Sequence, residues 1–294
     1  MVSVTKKQVG NETYYYLGHT YRSNGKINKT EKYIGKDIPK KIEELKKEFI
    51  FEIYKEKWFN DFEKIKENYK KEQKIMPPSA KEKEMETFMI KFTYETQRIE
   101  GSKLTLKDTA NLLEKGITPR EKPTRDIKEA ESHKKVFYEM LKYEKDLSLQ
   151  IVLYWHKKLF EETKEDIAGK IREHGVQISL SKFVPPAPVE LQTLLKEFFD
   201  WYNQNKGKIS AVKLAALVHL KFVTIHPFSD GNGRMSRLMM NFVLHKNDYP
   251  MIDIPYTKRT GYYNALERSQ VKKDEHIFIQ WFFKKFIENN KRFL

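Results

Sequence analysis

Helical spacing of apolar residues is the feature that most limits what this 294-residue chain can fold into. From Ile38 onward, apolar side chains recur every three or four residues, which is the period of an amphipathic helix. Prolines and glycines interrupt the pattern, and these breaks predict ten helices: 38–74, 79–99, 106–113, 125–143, 148–161, 188–205, 210–224, 233–245, 260–269 and 275–290. Ser79 is expected to cap the second helix and Gly101 to end it. We therefore expect a mainly α fold.

Residues 1–36 alternate in the manner of strands and predict a small antiparallel β-sheet domain. Asn24-Gly25 separates two alternating runs, as in a tight hairpin turn. This segment contains seven basic residues and only two glutamates, and its tyrosines would suit stacking on nucleic-acid bases. A solvated basic face is the more common use of such a sheet, so nucleic-acid binding is left as the weaker alternative.

Composition narrows the class of protein. The chain is 39% hydrophobic and 33% charged with a net charge of +15, which favours a packed globular protein that attracts anions. The absence of cysteine excludes a disulfide framework, a thiolate nucleophile and sulfur-bound metals. Its apolar segments are broken by Lys, His, Glu or Gln, so we expect no membrane span, no secretory leader and a cytoplasmic location.

One stretch, residues 169–188, departs from the helical pattern. Val176 and Ile178 alternate, and a group of prolines ends the run. This combination predicts a β-hairpin that projects from the helical body.

The segment from Ile225 to Asn241 carries the strongest chemical signal. An apolar helix ends at His226, and the loop 230–233 contains two glycines and leads directly into another helix. Amide groups at a helix N-terminus favour phosphate, and Arg234 and Arg237 add donors on one helix face. Asp230 would supply an oxygen to a magnesium ion beside the phosphates, and His226 can take a proton near neutral pH. The combination predicts a nucleotidyl or phosphoryl transfer site that is not a P-loop.

Residues 226–237, His-Pro-Phe-Ser-Asp-Gly-Asn-Gly-Arg-Met-Ser-Arg, resemble the full signature of the Fic (filamentation induced by cAMP) family. That signature is His-x-Phe-x-Asp/Glu-Gly-Asn-Gly-Arg-x-x-Arg, and the resemblance covers roughly residues 88–286. It implies a Fic-type helical bundle that transfers AMP from ATP to a Ser, Thr or Tyr hydroxyl of a target protein, with Mg²⁺ or Mn²⁺. It also implies site roles: His226 as general base, Phe228 as core anchor, Asp230 as metal ligand, Gly231, Asn232 and Gly233 around the phosphates, and Arg234 and Arg237 on the β- and γ-phosphates.

A second motif, Thr96-Gln-Arg-Ile-Glu100-Gly101, resembles the inhibitory helix of some family members. A glutamate at that helix end is expected to form a bidentate pair with Arg237 and so to withdraw the arginine from the γ-phosphate. On this basis we expect three parts: the sheet domain 1–36, a long helix and inhibitory helix at 37–104, and a catalytic core at 105–294.

The resemblance also suggests residues for the target and the nucleoside. The expected hairpin falls where the family has a target-docking flap, with the candidates Arg172, Val176, Gln177, Ile178 and Phe183. The segment after the motif resembles the part that closes the adenine pocket, with the candidates Tyr262, Tyr263 and Gln270.

Several alternatives stay open from sequence. The inhibitory glutamate is also compatible with removal of AMP from a modified protein. Phosphate transfer is disfavoured, because that branch of the family has a lysine where this chain has Gly233. A nucleic-acid-binding module with a vestigial loop would show a steep salt dependence of binding. The target protein is not readable from the sequence, and a homodimer is left open.

Overall fold

The computed structural model describes residues 2–23, 26–179 and 181–294. The chain divides into two compact units, Met1–Glu63 and Lys64–Leu294. The first unit holds strands β1 (Ser3–Val9), β2 (Glu12–Ser23) and β3 (Lys26–Gly35), paired antiparallel in the order β1-β2-β3. The turn expected at Asn24-Gly25 lies outside the described residues.

The first unit extends beyond the strands because helix α1 (Ile42–Ile75) begins within it. Leu17 of the central strand and Phe49 of α1 are buried together, and Ile42 and Leu45 pack against them. The boundary between the units therefore lies inside α1, whereas the sequence placed it at residue 36. The sheet alone could not bury its apolar face, and the first turns of α1 complete that small core.

Several basic side chains of the sheet are paired within the unit. Lys7 and Lys29 contact Glu31, and Lys36 contacts Glu12. These pairs reduce the charge that the sheet offers to an anion, which fits a solvated face better than a nucleic-acid surface.

We predict that Leu17→Ala destabilises the first unit by about 3 kcal/mol, because Leu17 is fully buried in a small core that cannot close the cavity. Ile27→Ala in β3 is the matched control: Ile27 is exposed, and its loss should cost less than about 0.5 kcal/mol. Hydrogen exchange of the strand amides measures both effects. Equal protection in the two variants would contradict the assigned core.

The second unit confirms the mainly α prediction. Its helices after α1 are α2 (Pro78–Ile99), α3 (Leu106–Lys115), α4 (Thr124–Lys142), α5 (Leu149–Phe160), α6 (Leu191–Asn205), α7 (Ala211–Ile225), α8 (Asn232–Lys246), α9 (Arg259–Val271) and α10 (Glu275–Asn289). Their ends lie within four residues of the expected ones. Gly101 follows the end of α2 with a positive φ of 95°, as predicted for a helix terminator.

The expected cap of α2 is wrong. The helix begins at Pro78 with Pro77 as its N-cap, and no side chain caps it. Proline suits the first helical position because its φ is already helical and its missing N–H would have no helical partner there. Ser79 therefore lies inside the first turn rather than before it.

Helix α8 lies at the centre of the second unit. Every side chain from Arg234 to Leu244 on this helix is buried, and α7 and α10 pack in the same core. The helix carries polar groups at Arg234, Ser236, Arg237 and Asn241. Buried polar groups need partners inside the protein, and the partners of the two arginines define the site described below.

The expected β-hairpin is not formed. Residues 169–179 and 181–187, the described part of this segment, contain no strand. The Ser181 N–H donates to the Ile178 carbonyl at 3.1 Å, which makes a turn without a ladder on either side. The alternation is only two residues long, and Pro185 and Pro186 have no N–H to donate to a partner strand. The described residues of this segment form an irregular loop.

Among the described residues, none of the helices combines the length and apolar character that a membrane span requires.

Candidate active site

The corner between α7 and α8 reverses the chain through two left-handed residues. His226 caps α7 with φ 52° and ψ 55°, and Gly231 precedes α8 with φ 86°. A left-handed backbone is costly for a residue other than glycine and persists only where its surroundings fix it. Here Arg172 fixes it: its Nε donates to the His226 carbonyl at 2.8 Å, and its backbone N–H donates to the Pro227 carbonyl at 2.9 Å.

The loop between these residues is closed by its own side chains. Asn232 accepts a hydrogen bond from the Phe228 N–H at 2.9 Å and donates to the Phe228 carbonyl at 2.8 Å. Phe228 is buried, as expected, and stacks on His156 with ring centroids 3.7 Å apart. The Asn232 side chain therefore shapes the loop, and only backbone groups at this position are left for a phosphate.

His156 is a second support of the loop that the sequence did not reveal. Its Nδ1 accepts from the Gly169 N–H at 2.9 Å, so Nε2 carries the proton and donates to the Asp230 carbonyl at 3.0 Å. Burial lowers the pKa of His156 to about 4. The imidazole is thus neutral and serves as a fixed hydrogen-bond bridge.

The His226 imidazole is arranged as a base. Its Nδ1 lies 3.2 Å from the Val223 carbonyl, which can only accept, so Nδ1 carries the proton and Nε2 keeps its lone pair. Within the described part of the chain, Nε2 has no hydrogen-bond partner. Burial lowers the pKa of His226, with a smaller lowering by Arg172, against opposite effects of the Val223 carbonyl, Glu100 and Asp230. The neutral form is therefore favoured at pH 7.

Arg237 is buried under the first turn of α8 and is held by three residues. Its Nε donates to the Thr96 hydroxyl at 2.8 Å, and its Nη1 donates to the Tyr262 hydroxyl at 3.3 Å. Its Nη2 donates to Glu100 Oε1 at 2.5 Å. Burial alone would lower the pKa of Arg237, but Tyr262 and Glu100 outweigh it and the net pKa is raised.

The expected pairing of Glu100 with Arg237 is present in a different geometry. One carboxylate oxygen contacts one guanidinium nitrogen, whereas the sequence suggested a bidentate pair. Thr96 and Tyr262 occupy the other edges of the guanidinium, which leaves room for a single contact. A Cβ added to Gly233 would lie 2.5 Å from Glu100 Oε1, so the carboxylate rests directly on the N-terminal turn of α8.

Arg234 is not open to a nucleotide, which corrects its expected place on the phosphates. Its side chain is 2% exposed, and its Nη1 donates to Glu129 and to Gln97 Oε1, the latter at 3.3 Å. Its Nη2 lies 3.0 Å from Asp230 Oδ1. Arg234 therefore fixes the loop from below. Glu129 and Gln97 were missed because each is more than 100 residues away and belongs to an ordinary helical pattern.

Asp230 stands at the mouth of the site with both oxygens occupied. Oδ1 accepts from the Gly231 N–H at 2.5 Å and from Arg234, and Oδ2 accepts from Lys164. Burial alone would raise the pKa of Asp230, but Arg234, Lys164 and the Gly231 amide together hold it far below the usual range.

The side chains around Asp230 determine how a magnesium ion could be bound here. In the described part of the chain, no three His, Cys, Asp or Glu side chains are grouped so that they could hold a metal. Mg²⁺ is commonly bound by one carboxylate together with substrate phosphates. Asp230, which is 38% exposed, fits that arrangement as a single protein ligand.

The other expected site residues lie in different surroundings. Arg172 is buried and donates to the carbonyls of His226, His174 and Pro186, so it anchors the loop and is not free to dock a target. The remaining docking candidates lie on this loop: Val176 and Ile178 are partly buried, Gln177 is exposed and Phe183 is partly buried. Their role stays a prediction.

The three residues that were expected near the nucleoside lie in different surroundings. Tyr262 is fully buried between Arg237 and His219, which removes it from an open nucleoside pocket. Tyr263 is 45% exposed, and its hydroxyl donates to the Ile99 carbonyl at 3.3 Å, next to Glu100. Gln270 donates to the Thr224 hydroxyl at 3.1 Å and lines a cavity of about 480 Å³ between α6, α7 and the start of α10.

The fold and the site together define a helical-bundle protein in which a neutral histidine, the N-terminal end of a helix and a buried arginine meet in one corner. Residues 146–244 match the Fic/DOC family. This segment of the chain is therefore similar to the Fic/DOC family, in agreement with the resemblance seen in its motif.

Individual relatives with Fic names are similar to part of the chain. The protein adenylyltransferase fic-1 of Caenorhabditis elegans is 31% identical over 187 residues, which cover 62% of this chain and 36% of that protein. The protein adenylyltransferase Fic of Drosophila willistoni is 33% identical over 178 residues, covering 59% of this chain and 35% of that protein. The chain thus spans about a third of the length of these curated relatives.

Solved structures share the fold. A Fic domain containing signaling protein from Bacteroides thetaiotaomicron superposes with a TM-score of 0.72 at 27% identity, covering 79% of this chain and 94% of that one. Fic-1 from C. elegans also gives a TM-score of 0.72, at 24% identity over 87% of this chain and 77% of that one.

We predict that His226 titrates below its usual pKa of 6.5, and that Glu100→Gln lowers this pKa further. The sign follows from charge: the Glu100 carboxylate favours the imidazolium form, so its removal favours the neutral form. NMR titration of the imidazole nitrogens measures both values. Glu86→Gln, in the N-terminal half of α2 with Lys83 as its partner, is the control and should leave His226 unchanged. A rise on Glu100→Gln would contradict the geometry.

Proposed function

We propose that this chain is an auto-inhibited protein adenylyltransferase, which transfers AMP from ATP to a Ser, Thr or Tyr hydroxyl of a target protein. The observation that carries the proposal is the place of the Glu100 carboxylate: it occupies the anion site formed by Arg237 and the first turn of α8. A helix N-terminus with a buried arginine is a site for phosphate. The chain fills it with its own carboxylate. The names of the curated relatives agree with this activity.

His226 is the proposed general base. Its Nε2 takes the proton from the target hydroxyl as that oxygen attacks the α-phosphorus of ATP. The bond from the hydroxyl oxygen to the α-phosphorus forms, the bond to the bridging oxygen of the β-phosphate breaks, and pyrophosphate leaves. The low pKa of His226 keeps the base free at neutral pH.

The rest of the corner binds and orients the triphosphate. Backbone amides at the start of α8 and the Arg237 guanidinium face its negative charge. Asp230 is the proposed Mg²⁺ ligand, and the ion would neutralise charge on the phosphates. Arg234 and Asn232 contribute by fixing the loop that presents these groups.

Glu100 opposes this arrangement in two ways. It uses the Nη2 donor of Arg237 that a γ-phosphate would need, and it places a negative charge where the phosphate charge would come. Its side chain is 28% exposed at the end of α2, so it can leave the pocket without unfolding the helix. Activation then consists of moving one side chain.

Phosphate transfer to the target is not favoured. Gly233 itself brings no side chain into this place, where a Cβ would lie 2.5 Å from Glu100 Oε1. Once Glu100 withdraws, the nucleotide has room to lie with its α-phosphate toward His226.

We predict that Glu100→Gly and Glu100→Gln increase AMP transfer at least about tenfold, equivalent to about 1.4 kcal/mol of barrier. The assay is self-labelling of the purified chain with α-³²P-ATP and Mg²⁺. Glu86→Gln is the matched control on the same helix and should label like the wild type. His226→Ala added to Glu100→Gly should abolish labelling.

Three outcomes would contradict the proposal. Equal labelling of the wild type and both Glu100 variants would remove the inhibitory role. Labelling by γ-³²P-ATP without labelling by α-³²P-ATP would indicate a kinase. Release of AMP from a labelled substrate by the wild type, with no forward transfer by Glu100→Gly, would reverse the proposed direction.

A further inference from the structure

Four charged side chains form a closed ring beneath the loop, which we call the charge quartet: Asp230, Lys164, Glu129 and Arg234. Going around it, Lys164 contacts Asp230 Oδ2 and lies 3.4 Å from Glu129 Oε1. Arg234 contacts Glu129 Oε2 and lies 3.0 Å from Asp230 Oδ1. Two cations and two carboxylates alternate, so the ring is neutral as it stands.

Lys164 and Arg234 differ in their freedom to move. Both lie over the Phe160 ring, at 5.2 and 4.4 Å from its centre. Arg234 is 2% exposed and both of its terminal nitrogens are bound to carboxylates, whereas Lys164 is 24% exposed and follows the end of α5. Lys164 is the member of the quartet that can leave its place.

A divalent cation at Asp230 needs an oxygen that Lys164 occupies. Oδ1 already accepts from the Gly231 amide and from Arg234, which leaves Oδ2 as the oxygen for a metal. An ammonium and a metal ion cannot share one side of the same carboxylate, because their charges repel at that distance. Metal binding therefore requires Lys164 to move.

Glu129 gives the displaced ammonium a second partner. Its Oε1 is buried and has no hydrogen bond in the described structure, although it lies 3.4 Å from the Lys164 Nζ. A shift of the lysine toward Oε1 would satisfy this atom and keep the ammonium paired. The quartet therefore offers the Lys164 ammonium a carboxylate oxygen in either position, on Asp230 or on Glu129.

We propose that Lys164 is the resident counter-ion of Asp230 and that a divalent metal binds there only by displacing its ammonium toward Glu129. The inference rests on the proposed function, which assigns Asp230 to the metal. Lys164 acts as a positioning residue: it balances Asp230 while the site is without nucleotide and makes binding of the metal alone weak. The negative charge of a triphosphate would then favour the metal over the lysine.

The test measures binding of Mn²⁺ alone to the full chain, by the electron paramagnetic resonance signal of the free ion. Lys164→Met should bind Mn²⁺ about tenfold more tightly than the wild type, because the competing charge beside Asp230 is gone. Lys164→Arg keeps the charge and should stay close to the wild type. Lys158→Met is the matched control: it removes a lysine from the same region, where Lys158 pairs with Glu161 away from the site.

Adding Asp230→Asn to Lys164→Met should remove the gain and so place the ion at Asp230. Affinity of Lys164→Met equal to or weaker than that of Lys158→Met would overturn the proposal, as would a gain that survives Asp230→Asn. Thermal unfolding of each variant shows that it is folded, and Mn²⁺ should raise the melting temperature of Lys164→Met more than that of the wild type.

These measurements distinguish a failure of the Lys164 counter-ion role from a failure of the metal assignment at Asp230. If Mn²⁺ binding depends on Asp230 but not on Lys164, the counter-ion role is wrong and the metal assignment stands. If no variant shows Asp230-dependent binding, the counter-ion role is wrong and the metal assignment of the proposed function fails with it. Labelling of Glu100→Gly by α-³²P-ATP reports separately on the transfer activity.

Discussion

The buried charge of Arg237 is the constraint on which the site depends. A guanidinium removed from water is costly unless anions or polar groups surround it. Thr96 and Tyr262 supply two neutral acceptors from different helices, and Glu100 supplies the one full negative charge that contacts it among the residues that the structure describes. A ligand that replaces Glu100 must bring negative charge of its own. The same buried arginine therefore accounts for the contact with Glu100 and for the proposed preference for a phosphate.

The corner around this arginine is fixed before any ligand arrives. Arg172 holds the left-handed backbone of His226, Asn232 closes the loop on Phe228, and His156 supports Asp230 from behind. None of these side chains faces a substrate in the proposed reaction. They keep the base, the helix amides and the arginine in one geometry, so that few groups have to move. Glu100 and Lys164 are the two side chains that are proposed to move.

The sequence predicted the parts of this account that depend on local patterns. Helix positions followed from apolar spacing, and His226, Asp230, Arg237 and Glu100 followed from motifs in short segments. What it missed depends on contacts between distant segments: Glu129 and Lys164 reach the loop from other elements and have no signature of their own. Arg234 was placed on the phosphates because helix spacing puts it near Arg237, while its burial is decided by partners on α2 and α4. The predicted hairpin is absent from the described residues because the apolar alternation is short and the prolines that follow it cannot donate backbone hydrogen bonds to a partner strand.

The most direct test of the central claim is the ratio of ATP to ADP affinity, measured by calorimetry with Mg²⁺ in the wild type and in Glu100→Gly. The two ligands differ by the γ-phosphate, which is the group that Arg237 would contact. With Glu100 in place the ratio should be close to one, and without it ATP should bind at least about tenfold more tightly than ADP, as one charge-assisted contact allows. An unchanged ratio in Glu100→Gly would show that Glu100 does not hold Arg237 away from the γ-phosphate.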